Sequence, residues 1–276
     1  MIIDFHTHIY AEEEPAWSFA VCTAETLIES MDVKHSQDDE PIHVAKSVVQ
    51  PTPGVTIIPH LDFRQQHQYV IDSVRAHPDR LIGAMMLNPH KGVAAGCDEL
   101  RYLVKEHGFK MVKLHPNFHT YFPNKAKNLS YPILEEVQKL GIAVMIHTGD
   151  TPFSLPSLMA PLARDFPQVP ILLGHMGVQK LALSDDAINV GMHYDNIFLE
   201  MSWGPLNRVK EAVQFLGPDK LIFGTDSPFN DVGVHTRIID VLGQPPPWGM
   251  NLSRADRDKI LYKNAEHLLG VELKST

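Results

Sequence analysis

Met1-Ile2-Ile3-Asp4-Phe5-His6-Thr7-His8 opens the chain with a strand-like apolar run that ends in two imidazoles. On an extended strand successive side chains point to opposite faces. His6 and His8 therefore share one face, about 6.6 Å apart at roughly 3.3 Å per residue. Two polar rings on one face of a buried strand need partners. A divalent ion, held at about 2.0–2.1 Å from each nitrogen, is one such partner. The other reading packs one ring internally and leaves the second facing a loop. The motif by itself leaves both open.

Further along, short apolar runs alternate with helix-like segments, the pattern of βα units and a parallel sheet. Strands are expected at 2–9, 55–58, 81–88, 111–115, 143–148, 171–175, 197–201 and 221–225. Helices are expected at 24–33, 65–77, 94–107, 131–140, 155–166, 179–191 and 206–216. A closing helix spans 254–269, with Ser253 as its N-cap and Gly270 just past its end. Eight such alternations in 276 residues predict one α/β domain over residues 1–276, a (β/α)₈ barrel with its chemistry at the C-terminal ends of the strands. Two stretches break the regularity. Residues 34–54 are longer than a βα connection needs and read as an insertion. Residues 230–251, with Pro245-Pro246-Pro247, read as a long loop after the eighth strand carrying a short helix near 234–242.

Composition narrows the function classes. The apolar fraction is 44%, the charged fraction 21% and the formal net charge −9, so a nucleic-acid backbone is disfavoured as a partner. No run approaches the roughly 18 apolar residues of a membrane span, and no basic, apolar leader opens the chain. The two cysteines, Cys22 and Cys97, lack metal-ligand spacing and suit a reducing compartment. The expectation is a cytoplasmic protein acting on a small molecule.

Reading the C-terminal end of each expected strand gives His6 and His8 on the first, Lys113 and His115 on the fourth, His147 on the fifth, His175 on the sixth and Asp226 just past the eighth. Sixteen histidines placed at random would not favour that register. Arg64, after the second expected strand, has the geometry to clamp a substrate carboxylate with two hydrogen bonds, or to face solvent from a helix N-terminus. Trp203, after the seventh, can pack on a flat substrate or fill a loop.

Asp4-Phe5-His6-Thr7-His8, Val112-Lys113-Leu114-His115-Pro116, Ile146-His147-Thr148-Gly149, Gly174-His175-Met176-Gly177 and Gly224-Thr225-Asp226-Ser227-Pro228 together resemble the amidohydrolase superfamily. Within it they are most similar to the amidohydrolase-related branch that contains aminocarboxymuconate-semialdehyde-decarboxylase-like proteins. The resemblance spans nearly the whole chain and is loosest over residues 10–80. It implies one divalent metal ion, zinc in most members, held by His6, His8, His147 and Asp226. It also implies catalytic roles for Asp226 and His175 in moving protons and polarising the substrate. Lys113, expected as an ordinary ammonium rather than a carboxylated lysine, and His115 would join Arg64 and Trp203 in binding substrate. Two activities share these residues. The leading expectation is a hydrolase that uses metal-activated water on an amide, ester or lactone of a small, carboxylated compound. The alternative is a non-oxidative decarboxylase (carboxy-lyase) of a small aromatic or muconate-like acid. A metal-dependent nuclease is disfavoured by the acidic balance and by Lys113 standing where a metal-bridging glutamate would be needed. Barrels of this branch are often dimers, which makes a homodimer the expected assembly.

Overall fold

The computed structural model describes residues 1–11, 22–178 and 181–273. Eight parallel strands form the central sheet: β1 (Ile2–His8), β4 (Val44–Gln50), β5 (Leu81–Met86), β6 (Met111–Leu114), β7 (Ala143–His147), β8 (Ile171–Gly174), β9 (Ile197–Glu200) and β10 (Leu221–Ile222), in that spatial order. The ring closes where β10 meets β1. Phe5 N–H donates to Phe223 O at 3.0 Å, Asp226 N–H to His6 O at 2.8 Å and His8 N–H to Ser227 O at 2.7 Å. Helices α1 (Ala24–Met31), α2 (Phe63–Ala76), α3 (Val93–His107), α4 (Lys127–Leu140), α5 (Ala160–Asp165), α6 (Leu181–His193), α7 (Leu206–Leu216) and α8 (Val232–Gly243) follow the strands around the outside. This is a (β/α)₈ barrel. The first two residues of the expected helix 179–191 lie outside the described residues.

One expected strand is misplaced. Residues 55–57 form a 3₁₀ turn, and the second barrel strand is β4, inside the stretch read as an insertion. Lys46 and Ser47 interrupt its apolar run, so the sequence pattern hid a strand whose ladder to β1 is nevertheless continuous from Val44 to Gln50 apart from two shifts in register. What remains of the insertion is a small antiparallel hairpin, β2 (His35–Gln37) and β3 (Glu40–Ile42).

Alternation along the strands divides the interior in two. Ile3, Phe5, Val48, Met111, Ala143, Met145, Leu172 and Ile222 form an inner apolar cluster. Their neighbours Ile2, Val112, Leu114, Val144, Ile146, Ile171, Leu173 and Leu221 belong to the larger cluster under the helices. The closing helical run passes through α9 (Arg254–Asp258), a π turn at Lys259–Lys263 and α10 (Asn264–Leu269). Ser253 caps it, accepting from Asp256 N–H. Ala265 and Leu269 of α10 plug the lower mouth of the barrel against the inner cluster.

Candidate functional site

Continuing the same alternation upward puts polar residues on the inner face. Lys113 and His115 follow Met111, and His147 follows Met145, two residues at a time. On β8 strict alternation would send Gly174 inward and His175 outward. His175 instead takes a left-handed backbone, φ 67°, and its ring reaches the cavity. Gly174 leaves room below: a Cβ there would lie 3.0 Å from Lys113 Nζ. Asp226 and Trp203 are also left-handed, at φ 63° and 62°, a concentration of backbone strain typical of functional sites.

The result is a cavity of about 190 Å³ at the C-terminal rim, lined by His6, His8, Lys113, His115, His147, His175 and Asp226, with Pro53, Phe118 and Phe229 as apolar walls. Seven of the nine residues singled out from sequence line it.

Hydrogen bonds fix the tautomers of its rings. His6 Nδ1–H donates to Glu200 Oε2 at 2.9 Å, and His8 Nδ1–H donates to the Pro51 carbonyl at 2.8 Å. Both acceptors are unable to donate, so each Nδ1 holds a proton and, in the neutral ring that a metal ligand must be, Nε2 carries the lone pair. Those two lone pairs face one carboxylate oxygen: Asp226 Oδ1 lies 3.2 Å from each Nε2. Three acceptors converging on one another are held together only by positive charge among them. Lys113 Nζ supplies part of it, donating to His6 Nε2 at 3.2 Å. The donor set, two imidazoles and a carboxylate within 4.8 Å of one another, fits a divalent metal ion.

Electrostatics follow from burial. Desolvation and the Lys113 charge hold His6 well below its usual pKa, so the ring is neutral, as a ligand must be. Burial works against ionised Asp226, yet its neighbours outweigh it and hold its carboxyl below the usual range, with the Lys113 ammonium as the charge beside it. Burial lowers Lys113 to about 8, with Asp226 and Glu200 favouring its charged form.

Three sequence expectations change. Arg64 sits on α2 outside the cavity, with its guanidinium bonded twice to Glu99 at 2.7 and 2.9 Å and 3.5 Å above the Tyr102 ring. A nearby carboxylate satisfied it before any substrate could. Trp203 does not face the cavity either. Its indole N–H donates to Asp226 Oδ2 at 2.8 Å, aiming Oδ1 at the histidines. His147 lines the cavity and stacks on His115 at 3.7 Å. Its Nε2, however, bonds Asp150 Oδ2 at 2.7 Å rather than joining the cluster of His6, His8 and Asp226.

Glu200 went unnoticed in the sequence, although it ends the apolar run Ile197-Phe198-Leu199 as His147 and Lys113 end theirs. It is fully buried. Gly224 makes space for it, since a Cβ at 224 would lie 2.3 Å from Glu200 Oε1. Asp4, below the site, accepts from Thr225 N–H and Oγ1–H at 3.0 and 2.6 Å and so pins the strand carrying Asp226 to β1.

The profile of the Amidohydrolase family matches residues 3–271. The chain belongs to that family. Solved structures similar to it include a 5-carboxyvanillate decarboxylase from Novosphingobium aromaticivorans with bound manganese and 3-methoxy-4-hydroxy-5-nitrobenzoic acid. That structure is 16% identical with a TM-score of 0.74, covering 98% of this chain and 97% of that one. A dihydroxybenzoic acid decarboxylase from Polaromonas with bound manganese and the inhibitor 2-nitroresorcinol is 18% identical with a TM-score of 0.72, covering 98% and 96%. A probable 2-pyrone-4,6-dicarboxylic acid hydrolase from Acinetobacter baumannii with bound citric acid is 17% identical with a TM-score of 0.67, covering 98% and 99%. At these identities the likeness establishes the fold. No curated protein matches the chain. Among the described residues no helix is long and apolar enough to cross a membrane.

Proposed function

We propose that this amidohydrolase-family chain is a metal-dependent, non-oxidative decarboxylase of a small aromatic acid. The observation that carries the reading is the cavity itself: about 190 Å³, with a proline and two phenylalanines as walls and a cluster of charge at one end. That space suits one flat ring held between apolar walls with its carboxylate at the charged end. His115 accepts from Phe118 N–H at Nδ1, 3.1 Å away, so its proton is on Nε2 and the ring is a donor. With the Lys113 ammonium it supplies the groups that would hold a carboxylate or phenolate oxygen. Two of the similar solved structures are aromatic-acid decarboxylases, which favours this activity over the hydrolase expected first.

A divalent ion bound by His6, His8 and Asp226 would grip substrate oxygens and stabilise the charge that develops as the C–C bond breaks. The ligand types accept zinc and manganese alike, so elemental analysis of purified protein identifies the loaded ion. The chain's residues do the rest. Lys113 and His115 orient the acid, while Pro53, Phe118 and Phe229 exclude water from the ring. His175 stands beside His6, ring centroids 4.9 Å apart, where its Nε2 would take a proton from water and pass it to the ring carbon that loses CO₂.

Hydrolysis of a lactone is the second reading, favoured by the likeness to the probable pyrone-dicarboxylate hydrolase. Incubation of manganese- or zinc-loaded protein with 2,6-dihydroxybenzoate, 5-carboxyvanillate and 2-pyrone-4,6-dicarboxylate separates the two. CO₂ release from either benzoate, abolished by chelator and restored by metal, is the expected result. Ring opening of the pyrone without CO₂ would replace the decarboxylase by the hydrolase.

A further inference from the structure

Glu200 accepts four hydrogen bonds inside the barrel. Oε2 takes His6 Nδ1–H at 2.9 Å, the Ser202 hydroxyl at 2.8 Å and His175 N–H at 3.2 Å, and Oε1 takes Ser202 N–H at 2.6 Å. The Ser202 hydroxyl, having given its proton to Glu200, accepts from His175 Nδ1–H at 2.8 Å. One carboxylate thus dictates the tautomer of two rings: His6 directly, His175 through Ser202. Each is left with an Nε2 lone pair. His6 Nε2 is one of the converging acceptors, and His175 belongs to the proposed proton transfer.

We propose that Glu200 is a shared positioning residue that couples the metal-holding imidazole of His6 to the proton-handling imidazole of His175, with Ser202 as the arm that serves His175 alone. The proposal rests on the reading of this cavity as a metal-dependent active site. Carboxylates behind ligating histidines commonly fix the tautomer and strengthen the ligand. Here the same anion also governs a second ring, and Gly224 supplies the space that lets it reach both. The branching makes the arms separable. Removing the Ser202 hydroxyl releases His175 while the Glu200–His6 bond stays, and neutralising Glu200 releases both.

The test compares wild type with Ser202→Ala, Ser202→Thr and Glu200→Gln, all close in size to the residues they replace. Long-range proton–nitrogen correlation spectra of ¹⁵N-histidine-labelled, zinc-loaded protein, with His175→Asn for assignment, report the His175 tautomer. Competition with a chromophoric chelator reports zinc affinity. Wild type should show His175 protonated at Nδ1. Ser202→Ala should give mixed tautomers with zinc affinity within about twofold of wild type, and Ser202→Thr should restore the wild-type spectrum. Glu200→Gln should disturb the tautomer and also weaken zinc binding by about 10–100-fold. A His175 spectrum unchanged in Ser202→Ala, or zinc affinity unchanged in Glu200→Gln, would overturn the proposal. Both readouts are independent of substrate, so the positioning role can fail or stand whichever reaction the cavity performs.

Discussion

The upper and lower halves of the barrel interior are built from the same strands and serve opposite ends. Below, Ile3, Met111, Ala143, Met145, Leu172 and Ile222 fill the space with carbon, closed off by Leu269. One step up the same inward positions hold Lys113 and His147, joined by His6, His8, His175, Glu200 and Asp226, all buried. Burying that many polar groups costs free energy unless each finds a partner, and here the partners are mostly one another. The contrast shows a division of labour. The lower half supplies stability without chemistry, and the upper half holds chemistry that the lower half must support.

The largest expected blow to that division is at Asp226. Asp226→Asn keeps the shape, and Trp203 can still donate to the amide oxygen, but the charge facing the histidines is gone. Turnover should fall by about 10³-fold or more, while the melting temperature stays within a few degrees of wild type. A variant that retains turnover would remove Asp226 from the mechanism.

Leu172→Ala tests the other half. Leu172 is completely buried in the inner cluster, so truncation should cost about 2–5 kcal/mol in urea unfolding, with kcat per folded molecule little changed. A large loss of kcat at unchanged stability would show that the halves are not separable.

His67 sharpens the comparison, because it is a buried histidine outside the cavity. Its Nδ1–H donates to Phe63 O at 2.7 Å and its Nε2 accepts from Met86 N–H at 3.0 Å, tying α2 to β5. Burial lowers its pKa to about 4 in the folded protein, against about 6.5 unfolded. Between those values the unfolded chain binds more protons, so stability falls as pH drops through that window, by about 3 kcal/mol in all. His67→Gln should therefore be less stable at pH 7 yet lose less stability between pH 6.5 and 4.5, as read by urea titrations at each pH. Equal acid slopes would mean that other groups set the acid response.

The smallest effect is expected at Arg64. Its pair with Glu99 is partly exposed, worth about 1 kcal/mol or less. Arg64→Ala should leave kcat and KM unchanged on any substrate the cavity accepts. A marked rise in KM would return Arg64 to the site.

The parts legible in the sequence were those where one residue carries the signal at one strand end: His6, His8, Lys113, His115, His147, His175, Asp226. Where the signal was split, the reading failed. β4 was hidden because Lys46 and Ser47 break its apolar run, and Pro53-Gly54 made 55–58 look like the bounded strand instead. Glu200 was passed over because it falls inside the expected strand 197–201 rather than at its end, where the polar site residues were sought. Arg64 looked free to bind an anion because Glu99 lies 35 residues away in the chain.

Periodicity, strand-end histidines and the spacing of βα units were sufficient to specify a barrel and the rim that bears its polar residues, because those features are local and repeat every few residues. Which way each ring faces, which nitrogen keeps its proton, and whether Trp203 meets a substrate or a carboxylate were decided by contacts between segments as much as 221 residues apart, such as Asp4 with Thr225. Hydrogen bonds of that kind depend on tenths of an ångström in three dimensions, and no pattern along one dimension encodes them.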